Sequence, residues 1–298
     1  MSNPFGRISD SNSLSSFSSQ KYLDGTKEFL ESNSIVAKFA FLLLVLIIFV
    51  MALRLGTSIL AWIFSPNQDP VLIKGMVDSK HMLRIPQDPS SPGAVPIIRS
   101  VNKAEGLEFT WSVWIFIDDL TYKQNEYKHV FHKGNDDINL TNVPIGMNHP
   151  NNGPGLYIAP STNNLVVVMN TFNEINEEVV IDDIPINKWV NVIIRVSDQN
   201  RLDVYINGGL ARRHILNSVP KQNYGDVFVS MNGGFSGQTS ELRYFSTAIG
   251  TNEIQSIVSN GPNMKQVGSD LTNSKPRYLS LRWFFANNGS TQSDYGGI

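Results

Sequence analysis

Cysteine is absent from all 298 residues, which removes disulfides, thiolate metal sites and cysteine nucleophiles at once. The fold must hold by its core alone, as in a protein that matures without an oxidising compartment. An excess of either charge is also lacking: 24 Lys and Arg stand against 26 Asp and Glu, a net charge of −2. The basic residues are scattered, so no electrostatic footprint for nucleic acid is present. Missing too are a Gly-x-Ser-x-Gly elbow, a Walker loop and a His-Glu-x-x-His helix, and with them the usual signs of hydrolase, NTPase and zincin chemistry. A cleavable signal peptide is not expected, because a long polar stretch precedes the first apolar run and no small-residue cleavage site follows it.

What is present begins with that run. Residues 35–64 (IVAKFAFLLLVLIIFVMALRLGTSILAWIF) carry no charge between Phe39 and Leu53. A helix rises about 1.5 Å per residue against a hydrocarbon core of roughly 30 Å, so the run is long enough to cross a bilayer. Lys38 and Arg54 bracket it and can extend their stems to the headgroups, with Leu55 to Phe64 at the interface and Trp62 as a belt residue. Alternatively the span continues to Phe64 with Arg54 inside it, at up to about 3 kcal/mol. Ten of the first 34 residues are serine, so 1–34 reads as a disordered Ser-rich tail, with at most a short helix at Tyr22 to Leu30. Lysines flank both ends of the run and specify orientation poorly; the tail is expected on the cytoplasmic or particle-interior side.

Beyond Pro70 the pattern changes to short alternating stretches broken by Gly, Pro, Asn and Asp, as in an all-β domain. Leu107 to Ile117 places Phe109, Trp111, Val113, Ile115 and Ile117 on one face, and its other face is also largely apolar, as in a central strand. Trp189 to Val196 repeats this, with Val190, Val192, Ile194 and Val196 predicted as core. Arg201 to Ile206 follows, then Asn207-Gly208 as a tight hairpin turn before Leu210 to Ile215. Further strands are predicted at 127–132, 155–159, 164–170, 178–181, 226–231, 237–245 and 277–285. Thr251 to Ser259 reads as a short helix capped by Thr251. The expected architecture is a two-sheet antiparallel jelly-roll sandwich preceded by one transmembrane helix. Its divisions are the tail 1–34, the span 35–64, a linker with first strands 65–106, the sandwich 107–286 and a flexible C-terminus 287–298.

Three stretches, IPINKWVNVIIRV, LDVYINGGL and the passage from VPKQNYGDV through ELRYFSTAIGTNEIQ to Pro262, carry a resemblance. In order and spacing they are similar to the laminin-G-like branch of the concanavalin A-like lectin/glucanase superfamily. The matching features are Trp189 with Val192, the hairpin Val204 to Gly208, and the Leu-Arg-Tyr-Phe strand before a short helix. More narrowly, GLEFTWSVWIFIDDL and VPKQNYGDV resemble membrane-anchored proteins of this fold in large double-stranded DNA viruses, including those of algae. That resemblance implies a minor virion component linking an internal membrane to the capsid shell, with lipid bilayer and capsid proteins as partners. The competing expectation is a membrane-anchored lectin that binds glycans through its rim loops.

Glucanases of the superfamily place Glu-x-Asp-x-x-Glu on one strand so that two carboxylates flank the sugar bond. No such string occurs, and Glu174, Glu177, Glu178, Asp182 and Asp183 have the wrong spacing, so no enzymatic activity is expected. His129 and His132, three apart on a strand, should point to opposite faces and share no metal. No cofactor is required. Calcium is the one candidate, because some laminin-G-like domains hold it at a rim; the oxygen-rich loop 134–152 offers Asp136, Asp137 and Asn139, although such residues also serve ordinary turns. For a sugar, an exposed aromatic with amide neighbours is needed, and Tyr224, Asn223, Asn232 and Phe235 lie in loops of that composition. The plainer reading of Asn232-Gly-Gly-Phe235 is a chain reversal whose aromatic plugs the end of the sandwich. Asn139-Leu140-Thr141 and Asn288-Gly289-Ser290 are glycosylation acceptors if the domain faces a secretory lumen.

Overall fold

The computed structural model describes residues 34–63, 67–100, 102–103, 106–141 and 144–267. The expected tail up to residue 33, the helix at 22–30, the strand at 277–285, the C-terminus and the Asn288 triplet lie outside the described residues. The chain divides into two compact units, Met1–Ser65 and Pro66–Ile298.

In the first unit, α1 (Ile35–Ile63) is one unbroken helix of 29 residues, long and apolar enough to cross a membrane. It runs through Arg54 without a break, and the Thr57 hydroxyl donates to the Arg54 carbonyl at 3.0 Å. At about 1.5 Å per residue it extends roughly 43 Å, more than one hydrocarbon thickness.

The second unit is a sandwich of two six-stranded antiparallel sheets. Its strands are β1 (Met76–Asp78), β2 (Leu83–Ile85), β3 (Asn102–Lys103), β4 (Gly106–Leu107), β5 (Phe109–Asp119), β6 (Lys128–Gly134) and β7 (Gly155–Ile158). They continue as β8 (Leu165–Met169), β9 (Glu177–Ile181), β10 (Trp189–Ser197), β11 (Arg201–Ile206), β12 (Gly209–Ile215), β13 (Asp226–Val229) and β14 (Ser236–Phe245). One sheet runs β1-β14-β5-β10-β11-β12 and the other β2-β13-β6-β7-β8-β9, with β3 and β4 a separate small ladder. In register, Trp111 lies opposite Ile194, Val113 opposite Val192 and Ile115 opposite Val190. The core faces of β5 and β10 therefore coincide residue by residue, and all six side chains are buried. Between the sheets Trp111 stacks on Phe131 at 5.3 Å and meets Tyr244 edge-on at 5.2 Å, a geometry that favours aromatic rings beyond their buried area.

The far face of the first sheet is covered by α2 (Thr251–Asn260), whose Ile254 and Ile257 pack with Ile193, Phe245 and Ile249. Its N-cap is Gly250, extended at φ −82°, ψ 169°. The Gly250 carbonyl accepts the Ile254 N–H at 3.1 Å, so Thr251 is already inside the helix and is not the cap expected from its hydroxyl.

A second departure lies in β6. Its register against β7 shifts between His129 and Phe131, and this bulge adds a residue that resets the alternation. His129 and His132 consequently meet, with Nε2 of His129 2.6 Å from Nδ1 of His132, instead of facing apart. The Met231 N–H donates to His129 Nδ1 at 3.1 Å, and His132 Nε2 lies 2.9 Å from the Asn135 carbonyl. Both rings are buried, and Phe228 stacks on His132 at 5.2 Å.

Candidate functional site: a tyrosine ridge between two polar depressions

The loop before β13 is built to project one side chain. Asn223 Oδ1 accepts the Gly225 N–H at 2.8 Å, an Asx turn that reverses the chain locally. The Lys221 N–H bonds the Asn170 carbonyl at 2.9 Å, tying the loop to the end of β8. Gly225 presses on Gly134 so closely that a Cβ there would sit 2.1 Å from the Gly134 oxygen. Between these fixed points Tyr224 is forced outward and is 76% exposed.

Tyr224 stands on a ridge. On one side lies a cleft of about 390 Å³ reaching between the sheets to Phe109, Trp111 and Tyr244. On the other lies a more open depression of about 510 Å³ bounded by Arg84, Asn135, Asp136 and Asn151. Gln222, Asn223, Tyr224 and Asp226 line both. The cleft holds Lys133, whose ammonium donates to the Gly225 carbonyl at 2.6 Å. Burial pushes its pKa down to about 8, against a smaller opposing pull from Asp226. Asp226 is itself held by the Arg84 guanidinium at 2.7 Å and the Gln87 N–H at 2.9 Å. Near the mouth Lys221 lies over the ring of Phe172, 6.0 Å from its centroid, within cation–π reach, and Phe172 is exposed.

Of the four residues expected to contact a sugar, the structure keeps two together. Asn223 and Tyr224 share the ridge. Asn232 and Phe235 follow β13, at its opposite end, since four strand residues span roughly 13 Å. Phe235 is fully buried in the core and presents no face for stacking; the aromatic plugs the sandwich as the plainer reading had it. Asn232, half-buried at φ 50°, donates from Nδ2 to Glu126 at 3.2 Å.

The calcium candidates do not converge. Asp136 lines the open depression beside the ridge, whereas Asp137 and Asn139 line a separate one. Among the described residues no three His, Cys, Asp or Glu side chains come together at metal-holding distance. Much of the loop's oxygen-rich character is spent on itself. Asn148 Oδ1 accepts the Asp137 N–H, and its amide donates to Asn135 and to the Asn151 carbonyl. The three candidates therefore do not line one site.

Sequence reasoning missed Lys133, Arg84, Ser100 and Asp226 as parts of this region. Strands 142 residues apart in sequence supply Arg84 and Asp226, and no local motif marks such a pairing. The one available signal was a lone lysine, Lys133, beside a glycine just past the strand predicted at 127–132.

Residues 93–255 match the profile described as Concanavalin A-like lectin/glucanases superfamily. No curated protein matches the sequence. Similar solved structures include the receptor binding domain of botulinum neurotoxin D, at 13% identity and TM-score 0.43, covering 65% of this chain and 44% of that one. The binding domain of serotype G gives 14% identity and TM-score 0.42, covering 64% and 46%. The receptor binding domain of the C/D mosaic serotype gives 14% and 0.41, covering 53% and 37%. The chain spans less than half the length of each of these structures.

Proposed function

The chain belongs to the concanavalin A-like lectin/glucanases superfamily, and on that footing we propose that it is a non-enzymatic binding protein, carried on a membrane by α1, whose sandwich engages its partner at the Tyr224 ridge. The observation that carries this is the outward Tyr224 between two polar depressions, since an exposed aromatic on a rigid rim is the residue type that dominates binding surfaces.

The acidic cluster around β9 lacks the spacing of a glucanase strand and makes structural contacts. Glu177 accepts from His214 and from the Asn217 N–H, Glu174 from the Asn217 amide, and Asp182 from the Asn164 amide. This supports binding without turnover. The finer reading is a minor component of a large DNA virus particle, standing between an internal membrane and the capsid shell. Its support is α1 together with the likeness of GLEFTWSVWIFIDDL and VPKQNYGDV to such proteins. A lectin is the second reading, favoured by the amides of Asn223, Asn135 and Asn151 around the tyrosine.

Cross-linking mass spectrometry on the full chain in its native membrane or particle tests the adaptor. Abundant links from Lys221 and Lys188 to a shell protein are expected. A sandwich without protein links and open to added protease sinks the adaptor and leaves the lectin, which a glycan array with wild type and Tyr224→Ala then examines.

A further inference from the structure

We propose that the cleft beside Tyr224 is a site for a carboxylate-bearing sugar, such as a uronic or sialic acid residue, with Lys133 and Ser100 receiving the carboxylate and Tyr224 covering the ring. This rests on the glycan reading of the ridge and specifies its ligand.

The floor of the cleft contains polar groups that the described residues leave unmatched. Lys133 is 6% exposed, yet among the described residues its ammonium has a single hydrogen-bond acceptor, the Gly225 carbonyl, where three donors are available. Ser100, 5% exposed, lines the same cleft and its hydroxyl has no partner among the described residues. A buried donor without an acceptor costs about 1–3 kcal/mol, and a ligand oxygen recovers it.

Charge at the cleft points the same way. Arg99, Lys133 and Lys221 line it against Asp88 and Asp226. Both carboxylates are already engaged: Asp88 by the N–H and hydroxyl of Ser90 at 2.9 and 2.7 Å, Asp226 by Arg84 and Gln87. Among the described residues, therefore, neither carboxylate hydrogen-bonds Lys133, although Asp226 acts on it through space. An incoming carboxylate supplies the missing acceptor and is bound more strongly for its charge.

Shape selects the rest of the ligand. Ile97, Phe109 and Trp111 give the cleft an apolar wall, suited to the C–H face of a pyranose, and about 390 Å³ admits a compact small ligand. A single buried ammonium matches a single carboxylate. A polysulfated chain would instead need cations spread along the surface, and the cleft gathers its own in one place.

The test uses the full chain in nanodiscs and titrates it with oligosaccharides ending in glucuronic or sialic acid, beside the same oligosaccharides with neutral ends. At least tenfold tighter binding of the acidic probes is expected. It should be lost in Lys133→Met, weakened severalfold in Ser100→Ala, and fall as pH rises from 7 to 9. Tyr224→Ala should weaken acidic and neutral probes alike. Equal affinity for both probe sets, or acidic binding that survives in a folded Lys133→Met, overturns the carboxylate site while the ridge reading stands. No binding of either set by wild type at millimolar concentration overturns both.

Discussion

The buried histidines show how completely one pair of residues can be determined. Because the Met231 N–H occupies His129 Nδ1, the His129 proton lies on Nε2 and is donated to His132 Nδ1. The His132 proton is then on Nε2, directed at the Asn135 carbonyl. The network assigns both tautomers, and no ring nitrogen can take another proton without two donors facing each other. Burial accordingly holds His129 well below the usual histidine range, with His132 as a further cause, and brings His132 down to about 4. In the unfolded chain His132 titrates near 6.5, so below that pH the unfolded state binds protons that the folded state refuses. Stability is full above pH 6.5 and falls as the pH drops toward 4, by about 2 kcal/mol at pH 5 for His132 alone. Urea melts at pH 7, 6 and 5 should show this decline in wild type and a flatter profile in His132→Leu. An unchanged wild-type midpoint from pH 7 to 5 would contradict it. Sequence alone misplaced the pair because alternation holds only in a regular ladder, and the bulge between His129 and Phe131 changes the parity.

Elements were legible where a single period governed them. β5, β10 and β11 each carry a large apolar side chain at every second position, and Asn207-Gly208 supplies the positive φ values, 49° and 81°, of the β11–β12 hairpin. β1 and β2 are three-residue strands at sheet edges, too short for any period to register. The ridge was legible only in Asn223 and Tyr224, because the cleft beside it is assembled from segments that are distant in sequence. Its geometry depends on backbone meeting backbone at Gly225 and Gly134. Gly225→Ala would need the loop to shift, at a cost of about 1–3 kcal/mol as for other overpacked positions. Gly250→Ala serves as its control, since a Cβ there meets nothing within 4 Å and a cap change of this kind costs on the order of 1 kcal/mol or less. Thermal melts should rank the two variants in that order, and ligand affinity should fall in Gly225→Ala alone. Equal melting temperatures would show that the close approach is not constraining.

For the whole molecule, the two units predict separable behaviour. If α1 spans a bilayer, the full chain should stay in the membrane pellet under alkaline carbonate extraction. Two arginines placed mid-run, Ile47→Arg with Val50→Arg, should release it, each costing about 2.5–3.5 kcal/mol at the helix centre. Extraction of the wild-type chain by carbonate would contradict the span. The sandwich itself closes late: β1 pairs with β14, where Met76 lies opposite Ser240, and bridges the still later Gln266, and among the described residues β2 pairs only with β13. At translation rates of about 5–20 residues per second, β1 leaves the ribosome on the order of ten seconds or more before its neighbour exists. An inserting α1 would by then be in the bilayer. In that case the nascent sandwich would spend the interval tethered and open-edged, and it is at the membrane surface that a chaperone would meet it.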